Sequence, residues 1–288
     1  MGLFDFIRGE DDFDRRQRRR AKEEAEDYRR EARNEMSDAK NIYEDYKELK
    51  GDTRRLMNEL SSLVKNHNRY KVDLLKELGG NISNTIENFK RFNVNSRIIS
   101  APDVSGDFNS AVSDLATSSF MSGINSMPIL NLNPISLILS ALSDPYKDRD
   151  KALDQLYKAR EYRYSVEDAF NSLKTVYKSL CSTETFIEDE RTYLDQLMKK
   201  IRSLMPRLND AMNKKSFTET EAKYIEGICK IAELIKKTLE TQLADKGGKL
   251  QSNYQKYSQK LRDINNIIPA QPVIEDSSWI GRILQIEV

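Results

Sequence analysis

The chain has 288 residues, 47 of them Lys or Arg and 46 Asp or Glu, with 38% hydrophobic and 32% charged side chains and a mean hydropathy of −0.69. So balanced a charge excludes global attraction to nucleic acid or an anionic surface, and only 11 Gly and 7 Pro disfavour a turn-rich sheet protein. One histidine, His67, and two cysteines, Cys181 and Cys229, outside any CxxC or metal-ligand spacing, leave disulfide and metal constellations without material.

The first 20 residues open with Leu3, Phe4, Phe6 and Ile7, apolar side chains that offer a candidate N-terminal foot on a membrane or on the base of a helical bundle. No cationic stretch followed by an apolar core precedes them, so no cleavable signal peptide is expected and a cytoplasmic location is the default. The run Arg15, Arg16, Arg18, Arg19, Arg20 is flanked by acids. Arg19–Glu23 and Arg20–Glu24 sit at i,i+4, which predicts a solvated helical face rather than a nucleic-acid patch.

From 21 to 78 a heptad governs the sequence. Ala21, Ala25, Tyr28, Ala32, Glu35, Ala39, Ile42, Tyr46, Leu49, Thr53, Leu56, Leu60, Leu63, His67, Tyr70 and Leu74 alternate in steps of 4 and 3, and 13 of the 16 are apolar or Tyr. Such a period predicts a narrow stripe facing a partner helix. Its alanines, between 21 and 39, allow close approach, and Gly51 is a weak point in the helix interior. His67 falls on the stripe, where a neutral ring between helices is expected. Protonation below the ordinary pKa of about 6.5 would place a charge in the seam and loosen it.

Residues 79–145 form the anomaly. A short amphipathic stretch (Ile82, Ile86, Phe89, Phe92) leads into an irregular one, and then no charged residue occurs from Leu115 to Ser143. Pro128 and Pro134 divide this segment, so it is not a single spanning helix. Its apolar positions, Ile129, Leu130, Leu132, Ile135, Leu137, Ile138, Leu139 and Leu142, are the candidate head for a membrane or a protein partner. The alternatives are the core of a helical cap, a membrane-directed element and a docking surface.

A second heptad fills 146–206: Ala152, Leu156, Ala159, Arg163, Val166, Phe170, Leu173, Tyr177, Leu180, Glu184, Ile187, Arg191, Leu194, Met198, Ile201 and Met205, again 13 of 16 in pattern. Pro206 is expected to end or kink it. Each arm would run about 80 Å, and two equal arms around the apolar segment read most simply as an antiparallel hairpin. A third arm, 216–268, starts at a cap formed by Ser216 or Thr218 with acids Glu219 and Glu221 behind it. Its two stripes lose phase at Gly247-Gly248, where a bend within one long helix is favoured over a turn. The apolar tail, 269–288, carries Trp279, Ile280, Ile283 and Leu284, for which packing is expected. Cys181 and Cys229 adjoin the stripes and read as small hydrophobes.

The expected fold is therefore all-α, an elongated antiparallel coiled-coil bundle of three or more long helices with an apolar head at one end. No nucleotide loop, nucleophile elbow or paired-carboxylate motif is present. No catalytic, cofactor-binding or metal residue is assigned, and an enzyme is not expected. With two long arms bracketing an apolar head, the architecture of 21–268 resembles the α-helical pore-forming proteins of the cytolysin A type. The resemblance implies that Ile129, Leu130, Leu132, Ile135, Leu137, Ile138, Leu139 and Leu142 take the membrane-head role, with pore formation after oligomerisation. Two functions follow: a membrane-associating protein with a sequestered head, or a rigid scaffold or tether whose head is a protein interface. Either implies a homo- or hetero-oligomer, with neither nucleic acid nor a small-molecule substrate as partner.

Overall fold

The computed structural model describes residues 3–91, 144–213, 218–244, 249–273 and 278–287. The described residues are helical and connecting, with one isolated β-bridge. Helix α1 spans Leu3–Arg91, α2 Pro145–Asn213, α3 Glu219–Glu240, α4 Ser252–Ile267 and α5 Ser278–Gln285. The apolar residues Ile129, Leu130, Leu132, Ile135, Leu137, Ile138, Leu139 and Leu142 lie outside the described residues. Leu3, Phe4, Phe6 and Ile7 belong to the backbone of α1, but their side chains lie outside the described ones.

Both heptads are buried as the sequence predicts. None of the sixteen positions from Ala21 to Leu74 is exposed, and of those from Ala152 to Met205 only Arg191 is. The helices extend beyond the heptads. α1 includes the Arg15–Arg20 run, whose Arg19 meets Glu23 at 3.2 Å while Arg18 meets Asp14 at 3.1 Å. α2 continues through Pro206, which was expected to end or kink it, for seven more residues to Asn213. A proline removes one backbone donor and crowds one carbonyl; the apolar stripe of Ile201, Leu204 and Leu208, buried on both sides of it, holds the helix against that cost.

The chain divides into two compact units. The first contains the described residues up to Arg54 together with 144 to Tyr177. Its core is thin: Ala32 packs against Leu156 and Ala159, and Ala39 against Tyr162 and Val166. Small side chains bring the backbones together here, and ion pairs flank the seam. Glu35 meets Arg163 at 2.6 Å, Glu24 lies 3.8 Å from Arg149, Glu31 pairs with Arg160, and the nearly buried Arg29 pairs with Asp148 in the first turn of α2.

The second unit contains Arg55–Arg91 and everything described from Lys178 onward. Its core is far larger, joining Leu74, Leu75 and Leu78 of α1 with Leu194, Leu197 and Ile201 of α2 and the apolar faces of α3, α4 and α5. Thr218 starts α3 with a capping box. Its hydroxyl accepts from the Glu221 amide at 3.2 Å, and the Glu221 carboxylate accepts from the Thr218 amide at 2.7 Å.

Gly247 and Gly248, where a bend was favoured, lie outside the described residues, but the residues on either side of them do not continue one helix. α3 ends at Thr241 in extended conformation, Ala244 and Leu250 form an antiparallel bridge, and the Gln251 amide donates to the Leu243 carbonyl at 2.9 Å. Thus α3 and α4 are two helices packed on each other and not one long arm. The loss of heptad phase marked the place, but phase slippage alone does not distinguish a bend from a turn.

The tail packs as expected. α5 lies on α3, with the Trp279 and Tyr224 ring centroids 5.0 Å apart. Two lysines close the ends of this assembly: Lys200 Nζ donates to the carbonyls of Asn265 and Ile268 at the end of α4, and Lys230 Nζ to Leu284 O, 2.8 Å, at the end of α5. Cations there complement exposed C-terminal carbonyls.

The antiparallel pairing of α1 and α2 is overturned. In the first unit Arg29 pairs with Asp148 and Glu31 with Arg160, sequence separations of 119 and 129. In the second, His67 pairs with Glu190, Tyr70 with Asp195 and Glu77 with Arg202, separations of 123, 125 and 125. Partner numbers rise together in each unit, so the helices run in the same direction; an antiparallel pair would have one fall as the other rises. A heptad stripe carries no polarity, and the hairpin reading assumed the shortest connection. The roughly 50 residues between Arg91 and Pro145 greatly exceed the usual bundle loop. The apolar segment 115–143 lies in that connection, outside the described residues.

Two glycines report on this packing. Nothing lies within 4 Å of a Cβ added at Gly51, so Gly51→Ala is expected to stabilise the chain by about 0.5–1 kcal/mol, measured as a higher denaturation midpoint by circular dichroism. A Cβ at Gly227 would lie 2.6 Å from Ile280 Cδ1 and 3.9 Å from Ile283 Cγ2. Alanine there requires only a methyl to move, but Gly227→Val is expected to push α5 outward at a cost of about 1–3 kcal/mol. Trp279 is the only tryptophan, so a red shift of its emission in Gly227→Val checks the displacement.

Candidate functional site

The second unit buries a cluster of ionisable groups supplied by three helices. α1 contributes His67 and Lys71, one helical turn apart and therefore on one face. α2 contributes Glu190 and Tyr193, and α4 contributes Tyr254 and Ser258, again one turn apart. Glu190 and Lys71 are both 0% exposed.

Glu190 is the hub. Its Oε2 accepts from Lys71 Nζ at 2.9 Å, His67 Nε2 at 2.6 Å and the Tyr254 hydroxyl at 2.6 Å. Its Oε1 accepts from the Ser258 hydroxyl at 2.8 Å and lies 3.3 Å from the Tyr193 hydroxyl. Tyr193 also donates to the Ser258 carbonyl at 3.0 Å, and Lys71 Nζ donates to the Tyr254 hydroxyl while sitting 4.6 Å from the centre of its ring. The Phe186 ring lies edge-on to Tyr254, with centroids 5.9 Å apart.

The electrostatics follow from burial and partners. Burial by itself would raise the pKa of Glu190, yet the Lys71 charge and the bonds from His67 and Tyr254 outweigh it and hold the carboxyl well below the ordinary range. Burial pushes Lys71 down, and Glu190 opposes that shift. Burial also lowers His67, reinforced by the Lys71 charge and opposed by Glu190. The resulting state is one anion, one cation and a neutral imidazole that donates through Nε2. Tyr254 and Tyr193 are raised by burial and by the neighbouring carboxylate, so both remain protonated donors.

The sequence placed His67 on the seam and gave it a neutral, structural role, in agreement with this geometry. It did not single out Lys71 or Glu190. Each neighbours a stripe position, Tyr70 and Arg191, and in a chain that is 32% charged an inward ionic pair looks like any surface pair. Tyr254 was legible as an apolar stripe position, but its hydroxyl's role was not. Cys229 is buried, and burial raises its thiol to about 11, which suits a packing residue. Among the described residues no group of three or more His, Cys, Asp or Glu is placed to hold a metal ion, and no helix is long and apolar enough to cross a membrane.

Compared with known proteins, the chain matches no family model, no curated protein and no solved structure.

The arrangement fixes the helices in place. Each of the three must stand in one register for its donors to reach Glu190, and a slip by one turn would strand a buried charge. Removing one partner of a buried ion pair costs about 3–5 kcal/mol, whereas removing both charges costs far less. Glu190→Gln is therefore expected to destabilise strongly by leaving Lys71 uncompensated. Adding Lys71→Met to it is expected to recover most of the loss, because Gln still accepts from Tyr254 and Ser258. Denaturant midpoints of the two single variants and the double variant give the coupling.

Proposed function

We propose that the chain is a non-enzymatic helical scaffold or tether, working as an oligomer or within a protein assembly. The observation that carries this reading is the same-direction pairing of α1 and α2, held in register within each unit by polar keys between named partners. A module that presents bound proteins at fixed positions requires such definition. Exposed aromatics offer contact points: Tyr157 and Tyr164 lie two turns apart on α2, 56% and 52% exposed, and tyrosine is favoured at protein interfaces.

The membrane-associating, pore-forming reading drew its geometry from an antiparallel hairpin with the apolar segment at its tip. Same-direction helices remove that support, and what remains of the reading is the uncharged stretch 115–143. A combined experiment separates the two. On size-exclusion chromatography with light scattering, a scaffold is expected to give one discrete multimer whose mass is unchanged by detergent or liposomes, and the chain is expected to stay out of the lipid layer on flotation. Flotation with liposomes that is lost on deleting 115–143 would overturn the scaffold in favour of the membrane protein.

A further inference from the structure

Among the groups buried in the second unit, one polar atom is left without a hydrogen bond at a position where a proton would land: Nδ1 of His67. The opposite nitrogen is committed to Glu190, and that carboxylate is already surrounded by donors from α1, α2 and α4. We propose that His67 is an acid-sensitive latch on α4: a proton taken up at Nδ1 adds a cation beside Lys71 that the site cannot neutralise, and the first half of α4 lets go of Glu190.

The groups facing His67 argue for release in acid. From its own helix come Lys71 and the Tyr70 ring, at 6.5 Å between centroids. From α2 come Glu190, Arg191 and, through the shared carboxylate, Tyr193. Arg191 also sits over the Tyr70 ring, and the Tyr70 hydroxyl donates to Asp195. From α4 come Tyr254 and, acting on Tyr193, Arg262. Two cations and a single anion already act directly on the imidazole, so a further positive charge finds only Glu190, whose charge Lys71 already balances.

The distribution of apolar contacts says which element yields. The half of α4 nearer its start buries Tyr254 and Ser258, both bonded to Glu190, whereas the half nearer its end buries Leu261 and Ile264 in the main core. Loss of the polar hub therefore frees the first half of α4 while the apolar core retains the rest. The direction of the pH effect follows from linkage. The unfolded or opened chain takes the proton near pH 6.5 and the closed one only at lower pH, so the latch weakens as pH falls through about 6.5 and stops weakening once the closed form is protonated too. Glu190, held low, adds its own loss only below the ordinary carboxylate pKa of about 4.3, a separate window.

Because the chain has a single histidine, NMR titration of its imidazole reads the latch directly in the full-length protein. The expected result is a pKa below that of a free histidine, with the neutral ring protonated at Nε2. Hydrogen exchange corrected for intrinsic rates is expected to show protection of the amides of 255–260 falling by up to roughly 30-fold between pH 8 and pH 5, while amides of 21–46 keep theirs. In His67→Gln, which retains a donor at the Nε2 position but cannot take up a proton, that fall is expected to vanish. An imidazole pKa at or above about 6.5 overturns the latch on the unaltered protein, whether or not the variant folds. Persistence of the exchange change in His67→Gln overturns it as well.

Discussion

A single carboxylate, Glu190, organises the second unit. Placing an anion where no water reaches it is unfavourable by itself, and the site is tolerable only because donors from three helices converge on its two oxygens. The requirement runs in both directions. Lys71 is equally buried and would be as costly without Glu190, so neither α1 nor α2 can shift along the other without stranding a charge. Hydrophobic burial supplies most of the attraction between these helices, but it is tolerant of sliding, since one leucine replaces another a turn away. The ionic hub is what makes one alignment differ sharply from its neighbours.

The first unit meets the same need with different chemistry. Its seam sets Ala32 against Leu156 and Ala159, and Ala39 against Tyr162 and Val166, a thin apolar contact that interlocks weakly. Alignment is left to ion pairs at the seam's edge, Glu31 and Glu35 with Arg160 and Arg163, and to the shielded Arg29–Asp148 pair at the start of α2. The edge pairs are partly hydrated and individually weak, whereas Arg29 and Asp148 are nearly buried. Arg29 and Asp148 thus stand to the first unit as Lys71 and Glu190 do to the second, an ionic key set into an apolar or alanine seam.

How much of this was legible in the sequence divides along physical lines. Periodicity reports which face of a helix is dry, and every heptad position of α1 and α2 except Arg191 is shielded, including the misfits Glu35 and Arg163, which pair with each other; buried residues such as Val64, Leu75 and Leu197 lie beside the heptads. Capping chemistry is local, so neighbouring residues narrow the start of α3 to Ser216 or Thr218, and Thr218 is the cap. The direction of α2 relative to α1 is not local. It depends on where the chain goes between Arg91 and Pro145, and a stripe of Ala and Leu looks the same to a partner approaching from either end. The pairing of charges is non-local as well: Lys71 and Glu190 are recognisable only after the helices are laid side by side in the right direction.

The direction of the helix pair and the ionic hub therefore depend on each other. Antiparallel helices would set His67 and Lys71 against a different part of α2, and Glu190 would then face another stretch of α1. Only the same-direction alignment brings the one histidine, a lysine and a glutamate to a single point, and only there does the charge on Glu190 become affordable. The polar residues off the heptad, which a stripe-based reading discards as solvent-facing, are the ones that carry directional information. In a chain with nearly equal numbers of acids and bases, direction is encoded in the few charges that are turned inward.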